Sequence, residues 1–107
     1  MTAFQAFESA DLPKADGGPY RELLRRPGMS LGVYRVAAGG ADHQHPHRSD
    51  EVYLVVQGKA TLRVDGQDHP VGPGSIVSVD RGANHGFTDI DEDLTVLVIF
   101  APPEVPE

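Results

Sequence analysis

A chain of 107 residues, 39% hydrophobic and 23% charged, has the balance of one globular domain with a single modest core. It holds no cysteine, which excludes disulfides and thiolate metal sites and leaves histidines and carboxylates as the available ligands. A net charge of −7 without any basic, aromatic-laced patch argues against nucleic acid as a partner, and the longest apolar run, residues 94–103, is too short to span a bilayer.

The first residues, "MTAFQAFESADLPKAD", lack the charged and apolar regions of a signal peptide, so a cytoplasmic location is expected. Residues 1–19 read as irregular, with Pro and Gly gathered in "DLPKADGGP". "YRELLRR" (20–26) reads as one helical turn or as an edge strand, and Pro27-Gly28 ends it in either case. "MSLGVYRVA" (29–37) has strand composition and runs into a Gly-Gly turn. "EVYLVVQ" (51–57) is a second strand, expected to stop at Gly58-Lys59. "ATLRV" (60–64) alternates and reaches Asp65-Gly66, a strong hairpin signal. "QDHPV" (67–71) follows as an edge strand, marked by Pro70. "SIVSV" (75–79) and "HGFTDI" (85–90) come next, joined by the turn "DRGAN". An acidic turn, "DED" (91–93), precedes the last strand, "LTVLVIFA" (94–101), and the tail "PPEVPE". Twelve glycines and nine prolines punctuating short strands predict an all-β sandwich or barrel.

The segment "GGADHQHPHRSDEVYLVVQG" (39–58) places three histidines within five positions. If 43–51 is extended, His43, His45, His47 and Glu51 share one parity and so one face. On the following strand Glu51, Tyr53, Val55 and Gln57 face one way, and Val52, Leu54 and Val56 the other. Imidazole nitrogens with a carboxylate oxygen suit divalent first-row metals. His85, opening a strand after a tight turn, is the candidate for a further ligand from elsewhere in the chain.

These residues resemble the two motifs of the cupin superfamily. The first motif is matched at every specified position by Gly39, His45, His47, Glu51 and Gly58. The second is matched by Gly74, Gly82 and His85, with Asp80 standing for its proline and Asp89 for its asparagine. Neither departure falls on a position that binds metal in the family. The resemblance covers residues 29–101, read as a single barrel domain, with 1–28 an N-terminal arm and 102–107 a frayed tail. It implies an all-β, double-stranded β-helix (jelly-roll) barrel of the cupin type. It further implies one divalent transition metal ion (Mn, Fe, Ni, Co, Cu or Zn) in the barrel mouth, held by His45, His47, Glu51 and His85. Two adjacent coordination positions would then be open to water, substrate or dioxygen. Small cupins pair, so a homodimer is expected, with the 94–101 strand and the N-terminal segment as its interface.

Other residues carry an ordinary reading beside a functional one. His43 lies outside the motif and reads as a solvated loop histidine or as a pocket residue. Tyr53 and Phe87 share parity with Glu51 and His85, and so line the pocket or fill the barrel core. His69 reads as surface, and Asp50 as a solvated turn carboxylate or as a group orienting a ligand. Tyr34 and Arg35 face opposite ways, with Arg35 expected in a rim salt bridge; Asp80 and Asp89 read as turn residues. An intact ligand set favours a metalloenzyme acting on a small organic molecule by dioxygenase, isomerase or lyase chemistry, with Glu51 as a possible catalytic base. The alternatives are a non-catalytic small-molecule-binding barrel with a structural or vestigial metal site, and a storage protein.

Overall fold

The computed structural model describes residues 3–8, 12, 20–40, 42 and 48–104. Six strands form among the described residues: β1 (Tyr20–Arg26), β2 (Met29–Val36), β3 (Asp50–Val64), β4 (Gln67–Val71), β5 (Ile76–Val79) and β6 (His85–Ala101). Among the described residues there is no helix, and so none long and apolar enough to cross a membrane. All pairings are antiparallel, in the order β1-β2-β6-β3-β4, with β5 also on β3. Of the two readings open for 20–26 the strand is the one adopted, and β1 folds back on β2 around Pro27-Gly28. The Asp65-Gly66 hairpin joins β3 to β4, with φ of 47° and 83° as a type I′ turn requires.

Two expected breaks do not occur. β3 passes through Gly58-Lys59 without turning. Gly58 takes φ 97°, and a Cβ there would meet the Asp93 carbonyl oxygen at 2.3 Å, so glycine is what lets the strands approach. Between Val55 and Thr61 the pairing of β3 with β6 shifts register repeatedly, which bends the strand without ending it. The acidic turn expected at 91–93 is also strand: its residues are exposed on β6, and Asp93 accepts the Ala38 N–H at 2.8 Å. Asp89, expected in a turn, lies inside β6 with φ 48°.

β3 and β6 therefore form one long antiparallel ribbon. At one end Glu51 opposes Phe100, and at the other Val64 opposes His85. Bending at the bulges folds the ribbon over, so both ends reach one mouth of a jelly-roll barrel and bring Glu51 to His85. Tyr53 and Val55 point into the barrel, while Val52, Leu54 and Val56 point out. The alternation fails at the bulge: Gln57, expected to share the inner face, is exposed, and Gly58 is buried. Leu62, Leu94, Val96 and Val98 fill the interior with Phe87, Ile90 and Phe100.

Candidate metal centre

Glu51 is the second residue of β3 and His85 the first of β6. The bent ribbon sets Glu51 Oε2 3.1 Å from His85 Nε2, with both side chains fully buried. On the other side of the imidazole, Nδ1 lies 2.9 Å from the Ala83 carbonyl oxygen. A carbonyl only accepts, so in the neutral ring Nδ1 carries the hydrogen and Nε2 presents its lone pair. A lone pair facing a carboxylate oxygen at this distance calls for a shared cation, either a proton or a metal ion. The Tyr53 hydroxyl donates to Glu51 Oε1 at 3.1 Å. Burial pushes the Glu51 carboxyl up from its ordinary 4.5 to about 7; the Tyr53 bond opposes this, and the Glu104 and Asp42 charges add to it. One imidazole nitrogen and one buried carboxylate, with a carbonyl fixing the imidazole tautomer, are two donors of the type that divalent transition metals take.

Residues 43–47, and with them His43, His45 and His47, lie outside the described residues. Among the described residues no group of three or more metal-type side chains converges. Tyr53 and Phe87 both point inward and are buried, but differently. Tyr53 touches the Glu51 carboxylate, whereas Phe87 is packed between the rings of Tyr34 and Tyr53, with centroids at 6.4 and 5.2 Å. His69 is exposed, on β4. Asp50 is exposed and accepts the Arg81 N–H at 2.9 Å, and these bonds to Arg81 hold its carboxyl below the usual range. The Asp80 backbone carbonyl accepts the Ala83 N–H at 3.2 Å within the turn before His85.

Arg35 departs from expectation. It faces outward, yet forms no salt bridge among the described residues, and its Nε is buried without an acceptor. Its cross-strand neighbour is Thr95, which offers no charge, and the nearby Asp93 carboxylate is bonded to Ala38.

Asp42 was not singled out by sequence reasoning, and it is the best-placed carboxylate near the histidine segment. Its Oδ1 accepts the Tyr34 hydroxyl in a short hydrogen bond, and its Oδ2 accepts the Phe87 N–H at 2.6 Å. Its position one residue ahead of the histidine-rich run was the available signal.

The sequence profile of the cupin domain matches residues 32–100, and the chain belongs to the cupin family. An uncharacterized protein of Streptomyces coelicolor, SCO3923, is 45% identical over 104 residues, covering 97% of this chain and 99% of that protein. The L-ectoine synthase of Bordetella petrii is 26% identical over 87 residues, covering 78% of this chain and 65% of the synthase. Among solved structures, KdgF from Halomonas sp. superposes with a TM-score of 0.79 at 20% identity, covering 94% of each chain, a likeness of fold.

Proposed function

We propose that this cupin is a metal-dependent enzyme acting on a small organic molecule, with His45, His47, Glu51 and His85 holding one divalent transition metal. The observation that carries this reading is the buried Glu51–His85 contact at 3.1 Å, in which two electron-pair donors face each other with the imidazole tautomer already fixed. The similarity to L-ectoine synthase, an enzyme by its name, supports small-molecule chemistry in this barrel. When bound, the metal would act as a Lewis acid toward substrate oxygens or as a centre for dioxygen chemistry.

The chain's own residues would handle the proton. Glu51, once released from the metal, would accept a proton from substrate through Oε2 and return it. Tyr53 holds the other carboxylate oxygen, so the carboxyl group keeps one orientation in either state. Ala83 fixes the His85 ring, and the apolar shell of Val79, Phe87 and Phe100 keeps bulk water from this end of the barrel.

We also propose a homodimer. β6 is paired on both sides along residues 95–100, so an interface at this strand has to use its outer face rather than its edge. Apolar side chains on that face, Val52, Leu54, Val56, Ile76 and Ile99, are at least a third exposed.

The test of the enzyme reading is metal content per chain in tag-free protein, wild type beside His85→Ala. About one transition metal ion per wild-type chain, lost in the variant, is expected. No metal in either protein after incubation with Mn²⁺, Fe²⁺, Ni²⁺ and Zn²⁺ would overturn it. Metal binding without turnover in oxygen-uptake, isomerase and lyase screens would leave the barrel as a small-molecule binder.

A further inference from the structure

The histidine segment is flanked by two carboxylates, and each is bonded to a backbone N–H on one side or the other of His85. Ahead of the segment, Asp42 receives the Phe87 N–H at 2.6 Å and the Tyr34 hydroxyl. Behind it, Asp50 receives the Arg81 N–H at 2.9 Å and the Arg81 guanidinium at 3.4 Å. Arg81 and Phe87 bracket His85 in the chain, just as Asp42 and Asp50 bracket His43, His45 and His47. Among the described residues the first half of β6 pairs with β3 on one side, and Gly39 and Asp42 meet its other side. Gly39 donates its N–H to the Ile90 carbonyl at 2.9 Å, and the Asp42 carboxylate takes the place of a strand carbonyl opposite Phe87.

The two attachments are unequal. The Asp50–Arg81 pair has both side chains more than half exposed, where solvent and salt weaken it. Asp42 is half-buried, is bonded through both oxygens, and is backed by the stacked rings of Tyr34 and Phe87. The same rings continue to the site: Phe87 meets Tyr53 edge-on, and Tyr53 holds Glu51.

We propose that Asp42 is a positioning residue, whose two hydrogen bonds hold the residue just ahead of the histidine run against the His85 strand and so support metal binding. The proposal rests on the metal reading of the site. Asp42 itself need touch neither metal nor substrate. A carboxylate one methylene from the backbone can bond a strand N–H and a tyrosine hydroxyl at once, while its own backbone leads directly into His43.

The test is the dissociation constant of Co²⁺ or Ni²⁺ for full-length wild type, Asp42→Ala, Asp42→Asn and Tyr34→Phe, with the Co²⁺ visible spectrum as a second readout. Asp42→Ala should weaken binding about ten- to a hundredfold, the range for partners that orient metal ligands, and should alter the Co²⁺ spectrum. Asp42→Asn should recover most of the affinity, because its amide can accept from Phe87 N–H and donate to the Tyr34 oxygen. Tyr34→Phe, which removes one bond and leaves the carboxylate, should weaken binding by less and in the same direction.

Wild-type affinity and an unchanged spectrum in Asp42→Ala would overturn the proposal, as would an Asn variant no better than Ala. Hydrogen exchange on metal-free protein separates this failure from failure of the metal reading. Removing the Asp42 bonds should speed exchange at the Phe87 amide, with β4 unaffected. Unchanged exchange there overturns the proposed role of Asp42, whereas a wild type that holds no metal overturns the metal reading.

Discussion

Tyr20 lies directly over Gly32: a Cβ on residue 32 would stand 2.2 Å from the Tyr20 hydroxyl oxygen and within 2.4 Å of two ring carbons. This ring packs edge-on against Phe100 at 5.9 Å, and so ties β1 to the interior through β2. Gly32→Ala should therefore expel the ring and destabilise the fold by about 1–3 kcal/mol, as overpacking does. The Tyr20 hydroxyl is itself buried without a partner among the described residues. Tyr20→Phe should accordingly be neutral or stabilising by about 1 kcal/mol, because it removes a polar group that burial leaves unsatisfied. Urea unfolding of both variants checks the pair, and a Gly32→Ala midpoint equal to wild type would contradict the packing described.

How much of this was legible in the sequence depended on how local the cause was. The Asp65-Gly66 hairpin was readable because its two positive φ angles are a demand on those residues alone. Gly58 was not, because a glycine between two strand-like runs marks a turn or a bulge equally well. What decides is the approach of the Asp93 carbonyl, from a strand more than thirty residues on. The acidic 91–93 stretch looked like a turn because it is polar, yet a bent strand with exposed outer positions satisfies the same polarity.

The site divides the same way. Glu51 and His85 could be named because motif spacing fixes residue types along the chain, and the inward direction of Glu51 follows from strand parity. Asp42 could not, because a carboxylate beside a Gly-Gly turn is ordinarily solvated, and its partners Tyr34 and Phe87 arrive only when the barrel closes. The orphaned Nε of Arg35 was equally out of reach, since it depends on Thr95 being the residue opposite.

The outer face of the barrel should govern association. Val52 opposes Ile99, Leu54 opposes both Leu97 and Ile76, and Ile76 is 70% exposed, so the apolar row runs unbroken across β6, β3 and β5. Covering such a row with a second copy removes apolar surface from water at no cost in hydrogen bonds, because the face consists of side chains. Wild type should sediment at twice the chain mass of 11.5 kDa, and Leu54→Lys with Ile76→Lys should sediment as a monomer. A wild-type monomer at micromolar concentration would refute the dimer.

The charge on Glu51 should make the metal-free and metal-loaded proteins respond to pH in opposite directions. Burial lifts the Glu51 carboxyl to about 7 in the fold, from an ordinary 4.5, so between these values the folded chain holds a proton that the unfolded chain has released. That contribution to stability is fully present below the unfolded value and is lost as pH rises through about 7, amounting to up to about 3 kcal/mol. Metal-free wild type should thus lose stability across this window relative to Glu51→Gln, which has no proton to release. A metal ion competes with that proton, so its affinity, and with it the stability of the loaded protein, should rise over the same window. Urea midpoints at about pH 5 and about pH 8, taken with chelator and with Co²⁺ for both proteins, measure all of this. If the difference between metal-free wild type and Glu51→Gln stayed constant across pH, the carboxyl would be ionised throughout and the buried pair would share no proton.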